Sequence, residues 1–277
     1  MAITNFISTV WSENLYTQLD KQYIAVKNCN RDFEGEIKGK GSTVKICGVG
    51  NVSVFDYTKN TDMSTPETLS DSERSLVIDQ AKGFNFQIDD IDRAQSTPKL
   101  MNAAMKNAAN ALANAADSYV YSLYGDAGTT VTNASTTVSN IIDAIIDART
   151  KLYENNVADA SDIVIEVSPE IAALILKAKI DIASSNTDAL EAGMLGTVGG
   201  CKIFVSNNIV TQTASGVTYH KCIARTTRAI AFAEQLSEID AYRPEKRFAD
   251  AVKGLHLYGA KVVYPTEMVL LNLGIAG

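Results

Sequence analysis

The 277-residue chain is poor in the groups that catalysis, metal binding and membrane insertion need. Only two histidines occur, His220 and His256, and both fall in strand-like patterns with no nucleophile elbow beside them. A zinc site would need more His and Cys at ligand spacing. The four cysteines, Cys29, Cys47, Cys201 and Cys222, are far apart and form no C-x-x-C pair. They read as reduced, mostly buried small residues, not as a disulfide framework. No apolar run approaches the roughly 20 residues that cross a bilayer. Residues Met1 to Val10 lack a basic segment followed by an apolar stretch, which excludes a secretory signal. The expectation is a soluble protein made in a cytoplasm, with no membrane partner.

Positive charge is also scarce. Lys and Arg number 25 against 32 Asp and Glu, a formal charge of −7. Proteins that grip nucleic acid through its phosphates concentrate Lys and Arg, so nucleic acid is not expected as the main ligand, although a local basic face stays open.

Three stretches superficially suggest ligand chemistry. Gly35-Glu36-Ile37-Lys38-Gly39-Lys40-Gly41 is one residue short of a phosphate-binding loop, and Gly41 stands where a magnesium-holding hydroxyl belongs. Its flanks predict strand where a helix is needed, so it reads as a flexible hairpin base. Gly193, Gly196, Gly199 and Gly200 miss the dinucleotide spacing and read as a mobile loop. Asp89, Asp90 and Asp92 supply too few ligands for an oxygen cage. They read as a strand end that places negative charge ahead of a helix start. No catalytic, cofactor-binding or metal-binding residue is expected, and no cofactor.

What the chain does contain is pattern. With 46% hydrophobic residues it can bury one large core or two modest ones, in a mixed α and β architecture. Ile7, Trp11, Leu15, Leu19 and Tyr23 recur every four residues on one helical face, either as a first core helix or as an arm that packs on another subunit. Val44 and Ile46 alternate with Thr43 and Lys45 as in a half-buried strand. Leu76, Ile78, Phe84, Phe86 and Ile88 share one face of a second extended run. The polar, turn-rich Asp56 to Asp71 lies between them, which predicts a long hairpin with a solvated tip. Such a ribbon is marginal alone, so it must lie on its own domain or across a neighbour.

Pro98 to Tyr124 predicts a helix. Ser96 or Thr97 can cap it, Pro98 fits its first position, and Gly125 sits past its end. Met101, Met105, Leu112, Ala116, Val120 and Tyr124 form an apolar stripe. Asn102, Lys106, Asn110, Asn114, Ser118 and Ser122 form a polar one. At about 27 residues it would be roughly 40 Å long, a strut. The Thr- and Ser-rich Thr129 to Thr137 reads as a link between domains. After it come an amphipathic helix (Val138, Ile141, Ile142, Ile145, Ala148, Leu152), a buried strand Ile163 to Val167, and a helix capped by Ser168 and opened by Pro169. A strand Lys202 to Ser206 and β-rich segments from Val217 to Leu273 follow. In the long segment Phe248 to Tyr264, Gly254 and Gly259 suit bends or bulges.

This order of parts resembles the major capsid protein of tailed double-stranded DNA bacteriophages. Trp11-Ser12-Glu13-Asn14-Leu15-Tyr16, Gly39-Lys40-Gly41-Ser42-Thr43-Val44 and Ile78-Asp79-Gln80 are similar to arm and E-loop segments. Phe84 to Asp92 is similar to the aliphatic-to-acidic strand end, and Ala115-Ala116-Asp117-Ser118-Tyr119-Val120 to the spine helix. Val167-Ser168-Pro169-Glu170 and Tyr258-Gly259-Ala260-Lys261-Val262 are similar to A-domain and late β segments. The likeness runs through nearly the whole chain, and the order of the segments carries it.

The resemblance implies an α+β fold with an extended β-hairpin E-loop, a long spine helix and a compact α/β A domain. Residues 1–33 would be the N-terminal arm, 34–90 the E-loop hairpin, and 91–134 the P domain including spine helix 98–124. Residues 135–235 would be the A domain, 236–265 the return β segment of the P domain, and 266–277 the C-terminal strand of the A domain. It implies a non-enzymatic shell subunit that forms hexamers and pentamers around double-stranded DNA, without sequence-specific binding, in the virion. Assembly would occur in the bacterial cytoplasm with a portal protein. Because the arm starts at Met1, any scaffolding protein would be separate. Some relatives cross-link an E-loop lysine to a neighbour's asparagine. Lys38, Lys40, Lys45 and Lys59 are present, but nothing local marks an activated one. Apolar stripes left uncovered in one subunit would be buried between subunits, at about 25 cal/mol per Å². The alternatives are an encapsulin-like nanocompartment shell of the same fold and, less favoured, an unrelated enzyme.

Overall fold

The computed structural model describes residues 15, 18–19, 22–33, 41–49, 56, 59–60, 62, 71–89, 100–157, 162–178, 194–246 and 248–276. Ile7 and Trp11, the capping residues Ser96 to Pro98, the glycine-rich stretch before Gly41, Asp90, Asp92 and Gly193 lie outside them.

Twelve strands and three helices are described. The first two strands, β1 (Thr43–Val49) and β2 (Asp71–Val77), pair antiparallel from Thr43↔Val77 to Val49↔Asp71. They are the two arms of the expected hairpin. The second extended run does not stay one strand. It breaks at Ile78 and Asp79, and β3 (Gln80–Asp89) leaves the hairpin for a different sheet. That sheet has the order β10 (Ile230–Tyr242), β11 (Ala249–Val262), β3, all antiparallel. The period-2 pattern continues through the break because Leu76 is buried in β2 and Phe84, Phe86 and Ile88 are half-buried at alternate positions of β3, each on its own sheet. Periodicity alone therefore cannot show the change of partner.

A seven-stranded sheet forms the second body, in the order β4 (Thr129–Asn133), β12 (Met268–Ala276), β9 (Val217–Thr226), β5 (Ile163–Val167), β7 (Cys201–Val205), β6 (Met194–Val198), with β8 (Thr211–Ala214) paired to β9. Strand β4 is the segment expected as a link. Its Thr and Val residues suit a strand at the sheet edge, where it runs parallel to β12. Strand β5 is buried at all five positions, as a central strand covered on both faces requires.

Helix α1 (Leu100–Ser122) continues into a 3-10 turn, Leu123–Asp126. Met105, Leu112, Ala116 and Val120 are buried as the stripe predicts, joined by Ala109, Ala113, Tyr121 and Asp117. Helix α2 (Ile141–Glu154) buries Ile141, Ala144, Ile145, Ala148 and Leu152, at the expected spacing. Helix α3 (Pro169–Lys177) starts as predicted: the Ser168 hydroxyl accepts from the Ile171 N–H at 3.4 Å and Pro169 opens the first turn.

The glycines do work other than that expected. No register shift falls at Gly254 or Gly259; the irregularity lies across β10, between Leu236 and Glu238. A Cβ on Gly259 would stand 2.3 Å from the Val77 carbonyl oxygen, and one on Gly254 would stand 2.5 Å from the Phe84 ring. Both glycines allow close approach. Gly199 and Gly200, with φ of 58° and 84°, form the tight turn joining β6 to β7 in place of a mobile loop, which is the conformation of a two-residue hairpin turn.

One large core contains the buried faces of α1, α2, α3 and the seven-stranded sheet, together with Leu15, Leu19 and Tyr23. A smaller cluster joins Val44, Ile46, Leu76 and Ile78 of the hairpin base to Ala231, Ala233, Leu257 and Val263.

Candidate self-assembly interface

The described part of the N-terminal stripe is covered by its own subunit: Leu15, Leu19 and Tyr23 are fully buried. The hairpin base is covered in the same way by β10 and β11. Of the two placements open to the arm and to the hairpin, these residues take the one within the subunit. The notion that these apolar stripes are left bare for neighbours fails for them, because the molecule's own strands and spine helix reach them first. Their burial is folding energy, not association energy.

Apolar surface that stays open includes Val77 on β2 and several residues elsewhere. Phe248 is 81% exposed at the turn joining β10 and β11, with Tyr242 across that turn and Leu255 further along β11. Tyr242 is held by Asn85 of β3 at 3.0 Å and lies under the Lys253 ammonium. Ile146 and Tyr153, seven residues apart on α2, share an outer face, and Leu176 is exposed on α3. These residues were not singled out by sequence, because an exposed phenylalanine at a hairpin tip has the same local pattern as a buried one.

The polar interior is concentrated where the arm enters the body. Arg225 on β9 and Glu166 on β5 are completely buried and pair through two hydrogen bonds of 3.1 Å. Arg225 also donates to the carbonyls of Asn28 at 2.6 Å and Ala25 at 2.9 Å, and the Asn28 amide donates to Glu166 at 3.1 Å. Asp117 on α1 accepts the backbone N–H groups of Ile24, Ala25 and Val26 at 3.0 to 3.1 Å. Burial pushes the Asp117 carboxyl up to about 7, outweighing the three N–H groups that pull it down. Glu234 on β10 accepts from the Tyr23 hydroxyl, from Arg31 at 2.7 Å, and lies 2.8 Å from His256 Nε2. Burial, then the charge of Glu234, raises the Tyr23 phenol far above its ordinary range.

The hairpin root has its own contacts. The Tyr119 hydroxyl on α1 donates to Asp79, at 3.0 and 3.3 Å from its two oxygens. Burial first, then this hydrogen bond, raises the phenol to about 12.

Neither histidine stands in an open site. His256 is fully buried against Glu234, and His220 is buried with Nε2 3.1 Å from Glu170, a contact without hydrogen-bond alignment. Cys29, Cys201 and Cys222 are free and buried, and burial pushes the Cys29 thiol up to about 11 and that of Cys222 to about 12. Among the described residues no group of three or more His, Cys, Asp or Glu could hold a metal ion, and no helix is long and apolar enough to cross a membrane. Asp89 is exposed at the end of β3.

The model of one family, phage capsid protein, matches residues 73–271. A solved structure from Mycobacterium phage Che8 is 30% identical, with 91% of each chain covered and a TM-score of 0.70. The capsid of Ralstonia phage GP4 shares 10% identity, covering 91% of this chain and 89% of its own, with a TM-score of 0.69. The capsid of cyanophage P-SCSP1u shares 17%, covering 90% and 86%, with a TM-score of 0.66. The last two show the fold alone. No curated protein matches.

A spine helix packed between a small sheet bearing a hairpin and a larger sheet is the α+β fold of tailed-phage capsid subunits, and the chain belongs to the phage capsid protein family. It is a structural protein of the virion, a major capsid protein that builds an icosahedral shell from copies of itself. The match favours this over a nanocompartment shell.

Proposed function

We propose that the shell is built of hexamers and pentamers, encloses double-stranded DNA, and assembles in the bacterial cytoplasm on a separate scaffolding protein around a portal. The observation that carries this reading is the 30% identity to the Che8 structure over 91% of both chains. In the family's terms, 34–90 would hold the E-loop hairpin in β1 and β2, while its last strand, β3, would belong to the P domain. Residues 98–124 would be the spine helix. Residues 135–235 would be most of the A domain, with β4 and β12 added to its sheet and β10 leaving it from Ile230. The formal charge of −7 supports a container that does not grip its contents. The subunit has no catalytic role in this reading; both histidines are packed against carboxylates and serve the fold. Closed lattices accumulate stability from many weak contacts, since each subunit meets several neighbours at once.

The test is electron microscopy of the purified chain, alone and co-expressed with a candidate scaffold encoded beside it. Closed shells are expected. A compact monomer under every assembly condition would overturn the proposal.

A further inference from the structure

Residues 23–31 touch three separate parts of the subunit with buried polar groups. Both ends hold the three-stranded sheet. Tyr23 and Arg31 reach Glu234, and Asn30 adds itself to the edge of β10, exchanging hydrogen bonds with Ile230 and Phe232 at 2.9 and 2.8 Å. The middle holds the other two parts. The N–H groups of residues 24–26 sit on Asp117 of the spine helix. The carbonyls of Ala25 and Asn28 sit on Arg225 of the seven-stranded sheet, and the Asn28 amide on Glu166.

We infer that this nine-residue strap locks the two sheets and the spine helix into one rigid body, so that shape change within a shell is confined to segments outside it. The physical reason is the cost of a half-made contact. A slip of one sheet against the other would strip Arg225 of two carbonyl acceptors, or Glu234 of the Tyr23 and Arg31 donors, and leave a buried charge short of partners. Apolar contacts between sheets can slide with gradual loss. A network of directed bonds to buried charges cannot, because it is either complete or broken. The strap is also short. Between Asn28, on the large sheet, and Asn30, on the small one, there is a single residue, Cys29, itself buried with its thiol 3.2 Å from the Ala25 carbonyl. That leaves no slack for the sheets to part.

The test is hydrogen exchange by mass spectrometry on the full-length purified protein. It asks whether a disturbance in one sheet is felt in the other. Val252→Ala weakens β11, far along the chain from the strap. With the strap intact, it is expected to raise exchange in β9 and β10 by the same factor. In an Arg31→Ala/Asp117→Asn background, it is expected to raise exchange in β10 by about tenfold, a tenfold change being about 1.4 kcal/mol, and to leave β9 unchanged. If that double variant does not fold, Arg31→Ala alone serves, since Arg31 is partly exposed and lies at one end. Equal transmission to β9 with the strap altered would overturn the inference, as would no transmission with it intact. Shell formation is not needed for this readout, so its outcome is separate from that of the electron microscopy.

Discussion

Arg225 and Glu166 face each other across β9 and β5 with both side chains shut off from solvent, the guanidinium Nε and Nη2 meeting the two carboxylate oxygens at 3.1 Å. Removing one member leaves a charge in a place water cannot reach. Arg225→Met and Glu166→Leu are each expected to cost about 3–5 kcal/mol. The double variant should cost less than the sum of the two, because no lone charge remains. Urea unfolding of the four proteins decides it; strictly additive losses would contradict the pairing.

Asp117 links stability to pH. Its folded-state carboxyl titrates near 7 against 3.8 for the ordinary side chain, so folding takes up a proton between those values. A group raised in the folded state contributes stability below its unfolded pKa and loses it as pH rises through the folded one. The contribution should therefore decline from about pH 4 to about pH 7, by a few kcal/mol at most. Comparing denaturant midpoints of the natural protein and Asp117→Asn across this range isolates it. The Asn variant should lack the decline.

Two glycines distinguish backbone from side-chain crowding. Gly259→Ala would drive a methyl group into the Val77 carbonyl, backbone that moves only with the hairpin root, and an overpacking cost of about 1–3 kcal/mol is expected. Gly254→Ala crowds the Phe84 ring and merely touches Ile239 at 3.4 Å, so Phe84→Leu should restore much of its loss. Thermal melts of each glycine variant, with and without Phe84→Leu, test this, and no such rescue is expected for Gly259→Ala.

The buried thiols give a probe of the closed interior. In a Cys47→Ser background, the native protein at pH 8 should show no fast-reacting thiol with an aromatic disulfide reagent, because thiolates of Cys29 and Cys222 do not form there. Three should appear in denaturant. A rapidly labelled thiol in the native protein would contradict the packing around these residues.

Phe248 separates folding from association. Its ring is 81% exposed, so Phe248→Ser should change the subunit's stability by no more than about 0.5 kcal/mol. If the hairpin tip meets a neighbouring copy, the yield of closed shells should fall while the melting temperature holds. An unchanged yield would remove this residue from the contact surface.

Much of the fold was legible in the chain. The stripe Met105, Leu112, Ala116 and Val120 marked the spine helix, Ser168 and Pro169 marked the start of α3, and the alternation of Val44 and Ile46 marked β1. Each is a local signal that carries its own cause. What was not legible is pairing over distance. Nothing near Ile78 tells that the extended run changes sheets there. Nothing around Thr129 shows that a polar threonine stretch will lie beside β12. Asp117 read as one more polar position on a helix, because its three N–H partners come from residues 24–26. Gly259 gave a correct sense that a side chain was unwelcome and a wrong reason for it.

Asn28 meets Arg225 across 197 positions of chain. Bonds between such remote stretches are among the slowest to form, since a long loop must close before any reward is collected. A chain emerging from synthesis cannot complete the strap until Arg225 has been made, so the buried bonds of residues 23–31 close only once most of the subunit exists. Unfinished chains in that interval expose bare strand edges that invite wrong partners.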